Sequence, residues 1–289
     1  MPTMKIGKST VPRTAISTSD EHSITVRGRD LCAELIGQTS FSAYFWLLLT
    51  GQQPNAAQLA VLDATLVAIA EHGFVPSVQA ARMTLAAAPD ALQGAVAAGI
   101  LGCGSVILGA SETAGRLFDE IHREAGASGP LGAARRPPEG ERSPSERPRG
   151  DRGSLPAAAA SVVKRWRAAG QAVPGYGHPL HKARDPRVAA LFRVALQAGV
   201  DQRYVQIAEA VEQVIPEAVG KELKLNVSAA IPAVLLGAGF PLAALRGVPI
   251  LARTASLIAH LNEELSVASG FALSYQATRE LIYDGETEK

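Results

Sequence analysis

A chain of 289 residues can bury a substantial core, and with 47% hydrophobic but only 5% aromatic residues that core must be filled by Ala, Leu, Val and Ile, which favours closely packed helices. A formal net charge of +1 argues against nucleic acid as a partner and leaves small-molecule chemistry as the starting assumption. Two cysteines, Cys32 and Cys103, exclude a disulfide framework, have no metal-ligand spacing, and fit a reducing cytoplasm.

The amino terminus, Met1 to Val11, carries Lys5 and Lys8 with no apolar stretch behind them, so no secretory signal is expected. Phe41 to Leu49 is apolar and stops at Thr50-Gly51-Gln52-Gln53-Pro54, with Gly and Pro in the order that ends a helix. Asn55 can cap the next helix, Ala56 to Glu71, where Leu59, Leu62, Leu66 and Ile69 recur at spacings of three and four. His72-Gly73 ends it. A further helix is predicted from Ser77 to about Ala88, then a long Ala/Gly-rich helical run to about Arg123, whose small residues would let backbones approach closely.

Between Gly126 and Leu155 the composition turns abruptly to Pro, Arg, Gly, Ser and Glu. Such a segment cannot bury enough apolar surface to offset its ordering entropy, and it reads as a disordered surface insertion. Its arginines suit either a solvated linker or contact with an anion. From Ile250 to Glu264 a helix is predicted with Arg253, Leu257 and His260 on one face. Two uncharged stretches, Ala91 to Ser111 and Leu225 to Leu245, approach membrane-spanning length, but the five glycines of the first and Asn226, Pro232 and Pro241 of the second favour buried helices of an α-fold, and no membrane partner is expected.

The chemistry concentrates in Pro174-Gly175-Tyr176-Gly177-His178-Pro179 and Asp185-Pro186-Arg187. Gly175 and Gly177 permit positive φ, and Pro179 blocks immediate helix continuation, so His178 is presented at a turn. A histidine so placed suits a carbonyl or anionic substrate, and Arg187 at the start of a helix offers a bidentate grip on a carboxylate. The same spacing also fits a tight reversal with His178 and Arg187 exposed and idle.

The stretch Pro174 to Arg187 resembles the citrate synthase superfamily, in which a Gly-x-Gly-His element is followed by Asp-Pro-Arg. Val26-Arg27-Gly28-Arg29-Asp30-Leu31, Leu47 to Pro54, His72-Gly73-Phe74-Val75-Pro76-Ser77 and Ala252-Arg253-Thr254 through His260 agree in order, covering about Thr14 to Gly285. The Val-Arg-Gly-Arg-Asp-Leu block and the Gly-His-Pro-Leu-His-Lys form look most like the stand-alone citryl-CoA lyase branch, related to the carboxy-terminal part of ATP-citrate lyase. The resemblance implies an all-α fold: a large helical domain from 1–114 and 247–289, a smaller one from 115–246, and an active site in the cleft. It implies cleavage of citryl-CoA, or a related 3-hydroxy-acyl-CoA, to acetyl-CoA and oxaloacetate. No tightly bound cofactor or metal is implied, only a coenzyme A thioester and a di- or tricarboxylate as substrates, in a homodimer or dimer of dimers.

Carried over by the same resemblance, His178 polarises the substrate hydroxyl or carbonyl oxygen, and His72, Arg187, Arg253 and Arg279 bind substrate. His72 also reads as a capping residue and Arg279 as an ordinary surface residue. Two positions depart from the pattern. Ile107 or a neighbour stands where synthases place a catalytic histidine, as it is also missing from ATP-citrate lyase. Asn226-Val227-Ser228 replaces Asn-Val-Asp, putting Ser228 where the family has its proton-transferring aspartate. General acid–base catalysis is commonly worth about 10²–10⁴ in rate. Two alternatives therefore stand beside the lyase: a citrate or alkylcitrate synthase, and a non-catalytic protein that binds CoA or a dicarboxylate.

Overall fold

The computed structural model describes residues 12–104, 108–126, 154–177 and 184–285. The amino-terminal Met1 to Val11, nearly all of the Arg/Pro-rich insertion, Ile107 and His178 lie outside the described residues.

The described chain is mostly helical, as expected of an all-α fold, and opens with a small antiparallel meander, β1 (Ser17–Ser19), β2 (Ile24–Val26) and β3 (Arg29–Asp30). Arg27 and Gly28, at φ +50° and +79°, form the two-residue turn between β2 and β3. The Arg27 side chain donates to the Leu48 carbonyl at 3.0 Å, satisfying an orphan acceptor at the end of α1 (Phe41–Thr50). Asp30 accepts from Cys32 N and Ala33 N, both at 2.8 Å, and so caps the single π turn Leu31–Leu35. The Arg-Gly-Arg-Asp block is thus largely a structural device.

Helix α1 stops at Gly51, at φ +76°. Asn55 then caps α2 (Ala56–Ala70) reciprocally: its Oδ1 accepts from Gln58 N, and Gln58 Oε1 accepts from Asn55 N, both at 2.9 Å. The buried face of α2 is Val61, Leu62, Thr65 and Ile69, with Leu59 and Leu66 half-buried at its flank. Helix α3 (Pro76–Ala87) follows as predicted. The long Ala/Gly run is not one helix: α4 (Leu92–Leu101) ends at Gly102, and α5 (Ala110–Glu124) starts afresh after Leu108, at φ +67°. The glycines that ease close packing also remove the side chains that would hold a continuous helix.

The remaining elements are α6 (Leu155–Ala168), α7 (Pro186–Ala198), α8 (Arg203–Val219), α9 (Val227–Gly237), a short 3₁₀ helix (Leu242–Ala244), α10 (Gly247–Glu264) and α11 (Gly270–Arg279). Two compact units result, Met1–Thr65 with Ser111–Leu245, and Leu66–Ala110 with Arg246–Lys289. One boundary between them falls inside α2.

In the first unit α8 packs on α6 and α9, and α7 packs on α9. In the second, α3 packs on α4, α10 and α11 around Val78, Ala81, Leu85, Ala95, Leu257 and Leu261. A Cβ on Gly99 would lie 2.7 Å from Leu257 Cδ1, so this glycine sets how closely α4 and α10 approach. Leu242–Glu264 alone among the described helices has the length and apolarity of a membrane span. It carries buried Arg253, Leu257 and Leu261, as a core helix does.

The second unit is tied by a buried cation. Arg82, 1% exposed, donates to Glu264, itself 4% exposed, at 2.9 Å, to Ser269 Oγ at 3.1 Å, and also to Glu263. Glu264 in turn accepts from Ser269 N at 2.8 Å and Gly270 N at 2.6 Å, holding the start of α11. Removing one partner of a buried, hydrogen-bonded ion pair strands the other. Arg82→Ala is expected to destabilise the protein by about 3–5 kcal/mol in urea denaturation, whereas Glu263→Gln, at an exposed partner, should cost less than about 1 kcal/mol.

Candidate active site

In the first unit the site is built on the start of α9. Asn226 caps that helix, its Oδ1 accepting from Ser228 N at 2.9 Å, while its Nδ2 donates to the Gly177 carbonyl at 2.7 Å. Asn226 N donates to Gly175 O at 2.9 Å, Gly177 N donates to Lys224 O at 2.7 Å, and Tyr176 bridges Leu225. The Tyr176 hydroxyl donates to Ala208 O at 2.7 Å from a buried position, and burial pushes its pKa well up. Gly175, at φ +84°, sits so close to α9 that a Cβ would lie 2.4 Å from Ala229 Cβ. The Gly-x-Gly element is therefore fixed against α9 up to the carbonyl that precedes His178.

Asp185 joins this turn to α7. Its Oδ1 accepts from Arg187 N and Nε, each at 3.0 Å, and its Oδ2 from Arg187 Nη2 at 2.7 Å and Val227 N at 3.2 Å. The starts of two helices and a guanidinium converge on one carboxylate whose side chain is fully buried. Burial pushes the Asp185 pKa up, but the Arg187 hydrogen bonds and charge and the Val227 N–H outweigh it and hold the carboxyl below its ordinary value. Arg187 keeps 22% of its side chain exposed. Half-buried Ser228 is the second residue of α9, next to Val227. An anion near this turn would meet a fixed guanidinium and the positive end of a helix.

In the second unit His72 and Arg253 are carried by neighbouring segments. His72 is half-buried just beyond α2, and Arg253, 3% exposed on α10, reaches the Ile69 carbonyl at 3.5 Å, close to the end of the same helix. Cys103 lies near Arg253 and Ser77, and burial pushes its thiol pKa up. Glu71 accepts from Ser256 Oγ, from Gly73 N and from His260 Nε2, the last at 3.0 Å. Burial raises the Glu71 pKa, but these hydrogen bonds outweigh it and bring it down to about 2, so the carboxylate is ionised at neutral pH. Arg279 is exposed at the last residue of α11.

Of the residues singled out from the sequence, Arg187 and Ser228 are thus brought to one turn in the first unit, and His72 and Arg253 to one helix end in the second. Sequence reasoning passed over Asp185, Asn226, Glu71 and Ser256 as functional candidates. Asp185 and Asn226 could have been found by their place directly before a helix, where a short polar side chain caps.

A model of the citrate synthase C-terminal domain matches residues 40–270. Among solved structures, citryl-CoA lyase from Hydrogenobacter thermophilus is 28% identical with a TM-score of 0.77, over 96% of this chain and 96% of that one. ATP citrate lyase from Methanothrix soehngenii, solved with citrate and coenzyme A, is 21% identical with a TM-score of 0.71 over 98% of this chain, which spans only 43% of that protein. Citrate synthase from Thermotoga maritima is 20% identical with a TM-score of 0.60 over 87% of this chain and 59% of that one. No curated protein sequence matches the chain significantly.

Asp185→Asn is expected to cost about 2–4 kcal/mol, because the amide cannot satisfy the donors that converge on the carboxylate. The gap has a defined pH dependence. A carboxyl whose folded pKa lies below its unfolded value, here 3.8, stabilises fully above that value and loses its contribution as pH falls through the folded pKa. Urea denaturation should therefore show a constant difference between wild type and Asp185→Asn from neutral pH to about 4, narrowing below.

Proposed function

The chain belongs to the citrate synthase family, and on that premise we propose that it is a citryl-CoA lyase-type enzyme. In this reading it cleaves citryl-CoA or a closely related 3-hydroxy-acyl-CoA to acetyl-CoA and oxaloacetate. The observation that carries the proposal is the Asp185 assembly. It holds Arg187 by two nitrogens, with part of the side chain exposed, on the turn that supports Ser228 and, through Asn226, the Gly177 carbonyl before His178. Full-length likeness to a citryl-CoA lyase supports the choice of reaction.

Cleavage takes a proton from the C3 hydroxyl and breaks the bond between C3 and the acetyl methylene. The electron pair passes into the thioester as an enolate, and a proton is then delivered to that carbon. By resemblance, His178 polarises the oxygen that becomes the oxaloacetate carbonyl, while Arg187, Arg253 and His72 hold the carboxylates. Delivery of the proton to carbon is where Ser228 matters, since a serine hydroxyl is a far weaker proton donor than a carboxylic acid. Asp185 is no substitute, being buried and committed to Arg187 and Val227. A catalyst lowers one barrier for both directions alike, so the serine slows cleavage and condensation by the same factor. In this reading the protein works in the cytoplasm as a homodimer or a dimer of dimers, without metal or flavin, and takes coenzyme A only as a thioester substrate.

One observation favours a second reading: with Ser228 at the family's aspartate position, the protein binds CoA thioesters or dicarboxylates without turning them over. Incubation with citryl-CoA, following acetyl-CoA and oxaloacetate, separates the two. Cleavage above the uncatalysed rate is expected, and Arg187→Ala should lower kcat/KM by about 10²-fold or more, as loss of a charged partner for a substrate carboxylate does. Calorimetric binding of oxaloacetate with no turnover at any pH would favour the binding protein.

A further inference from the structure

Glu71 and His260 have been assigned no part in the reaction, yet they form a chain of contacts that ends on both neighbours of His72. Glu71 directly precedes His72, and its carboxylate accepts from the amide of Gly73, which directly follows. The side chain thus closes a small ring around His72, and Gly73 turns through φ +69° to complete it. Ser256 and His260, one helical turn apart on α10, donate to the same carboxylate. The segment carrying His72 is therefore pinned to the helix that carries Arg253.

The order of donors fixes the histidine tautomer. Arg82 is always charged and can only donate, and its Nη2 lies 3.1 Å from His260 Nδ1. Nδ1 must accept, so the proton sits on Nε2, which donates to Glu71 at 3.0 Å. Phe74 adds a contact from each side. Its ring meets His260 edge-on at 5.8 Å and lies under the Arg82 guanidinium at 4.8 Å. Residues 71, 73 and 74 are all clamped to one cluster.

We propose that Glu71, held by Ser256 and by the Arg82-oriented His260, is the positioning group that sets the orientation of His72 toward a substrate carboxylate or carbonyl oxygen. This rests on the reading of His72 as a substrate-binding residue. Ion pairs this exposed contribute little to stability, Glu71 being 52% exposed. Concentrating three hydrogen bonds on an exposed carboxylate makes sense if orientation is what it serves, since a small misplacement of a binding group is costly to reaction rate.

The test is a double-mutant cycle on oxaloacetate affinity, measured by calorimetry on the full chain, with urea denaturation alongside. Glu71→Gln is expected to weaken oxaloacetate binding about tenfold with little change in the urea midpoint, and in a His72→Gln background it should weaken it no further. His260→Gln, whose amide nitrogen can still donate to Glu71, should lose less affinity than His260→Leu. Equal losses in both backgrounds, or a folded Glu71→Gln protein that binds as wild type does, would overturn the proposal. Should wild type bind no oxaloacetate, the reading of His72 as a substrate ligand fails, and the positioning claim is then judged on ¹⁵N-histidine NMR. A shift of the His72 ring resonances on Glu71→Gln supports it, and unchanged resonances overturn it.

Discussion

A carboxylate removed from water is tolerated only if every strong acceptor direction is met by a donor, and Asp185 shows how much architecture that demand can organise. Its donors are Arg187 through the backbone and two guanidinium nitrogens, and the backbone N–H of Val227. Satisfying one side chain thus fixes the start of α7 against the start of α9. It also aims Arg187 by rigid contacts rather than through a flexible tail. Asn226 extends the same logic by capping α9 with one atom and holding the Gly177 carbonyl with another. The turn that leads up to His178 is held together by polar pairing of buried groups, with only Gly175 packed tightly enough to exclude a side chain.

The second unit solves a similar problem with the opposite charge. Arg82 is buried on α3, and the acceptors of its two terminal nitrogens come from α10 and the start of α11. Its guanidinium also lies over the ring of Phe74, two residues after His72. A charge placed for structural reasons thereby reaches the edge of the segment that carries His72, and the cost of burying it is shared between holding three helices and ordering that segment. The position of Arg253, with its guanidinium toward the carbonyl end of α2, uses the favourable interaction of a cation with a helix carboxyl terminus.

Much of this was legible in the sequence because it depends on local chemistry. Gly51 and Asn55 marked a stop and a start, and both do what such residues do at helix ends. The stripe Arg253, Leu257, His260 is a matter of helical period, and it was read correctly as one face. What could not be read was non-local. Nothing near Glu71 in the chain announces that Ser256 and His260 will donate to it from 185 and 189 residues away. The Ala/Gly run misled for a definite reason, since its apolar character is continuous across Gly102 to Gly109 while its backbone is not. Arg27 was noted for a family resemblance, yet its observed contact is with the end of α1.

In the proposed reading, Arg187, Arg253 and His72 hold a hydroxy or oxo acid, and a serine stands where proton transfer at the acyl carbon needs a carboxyl group. The most direct measurement is the rate at which the methyl hydrogens of acetyl-CoA exchange with deuterium oxide on the protein in the presence of oxaloacetate, compared between wild type and Ser228→Asp. Slow exchange in wild type, raised by about 10²–10⁴ in Ser228→Asp, is the expected result. Exchange as fast in wild type as in Ser228→Asp would contradict it, because another group would then already be moving that proton.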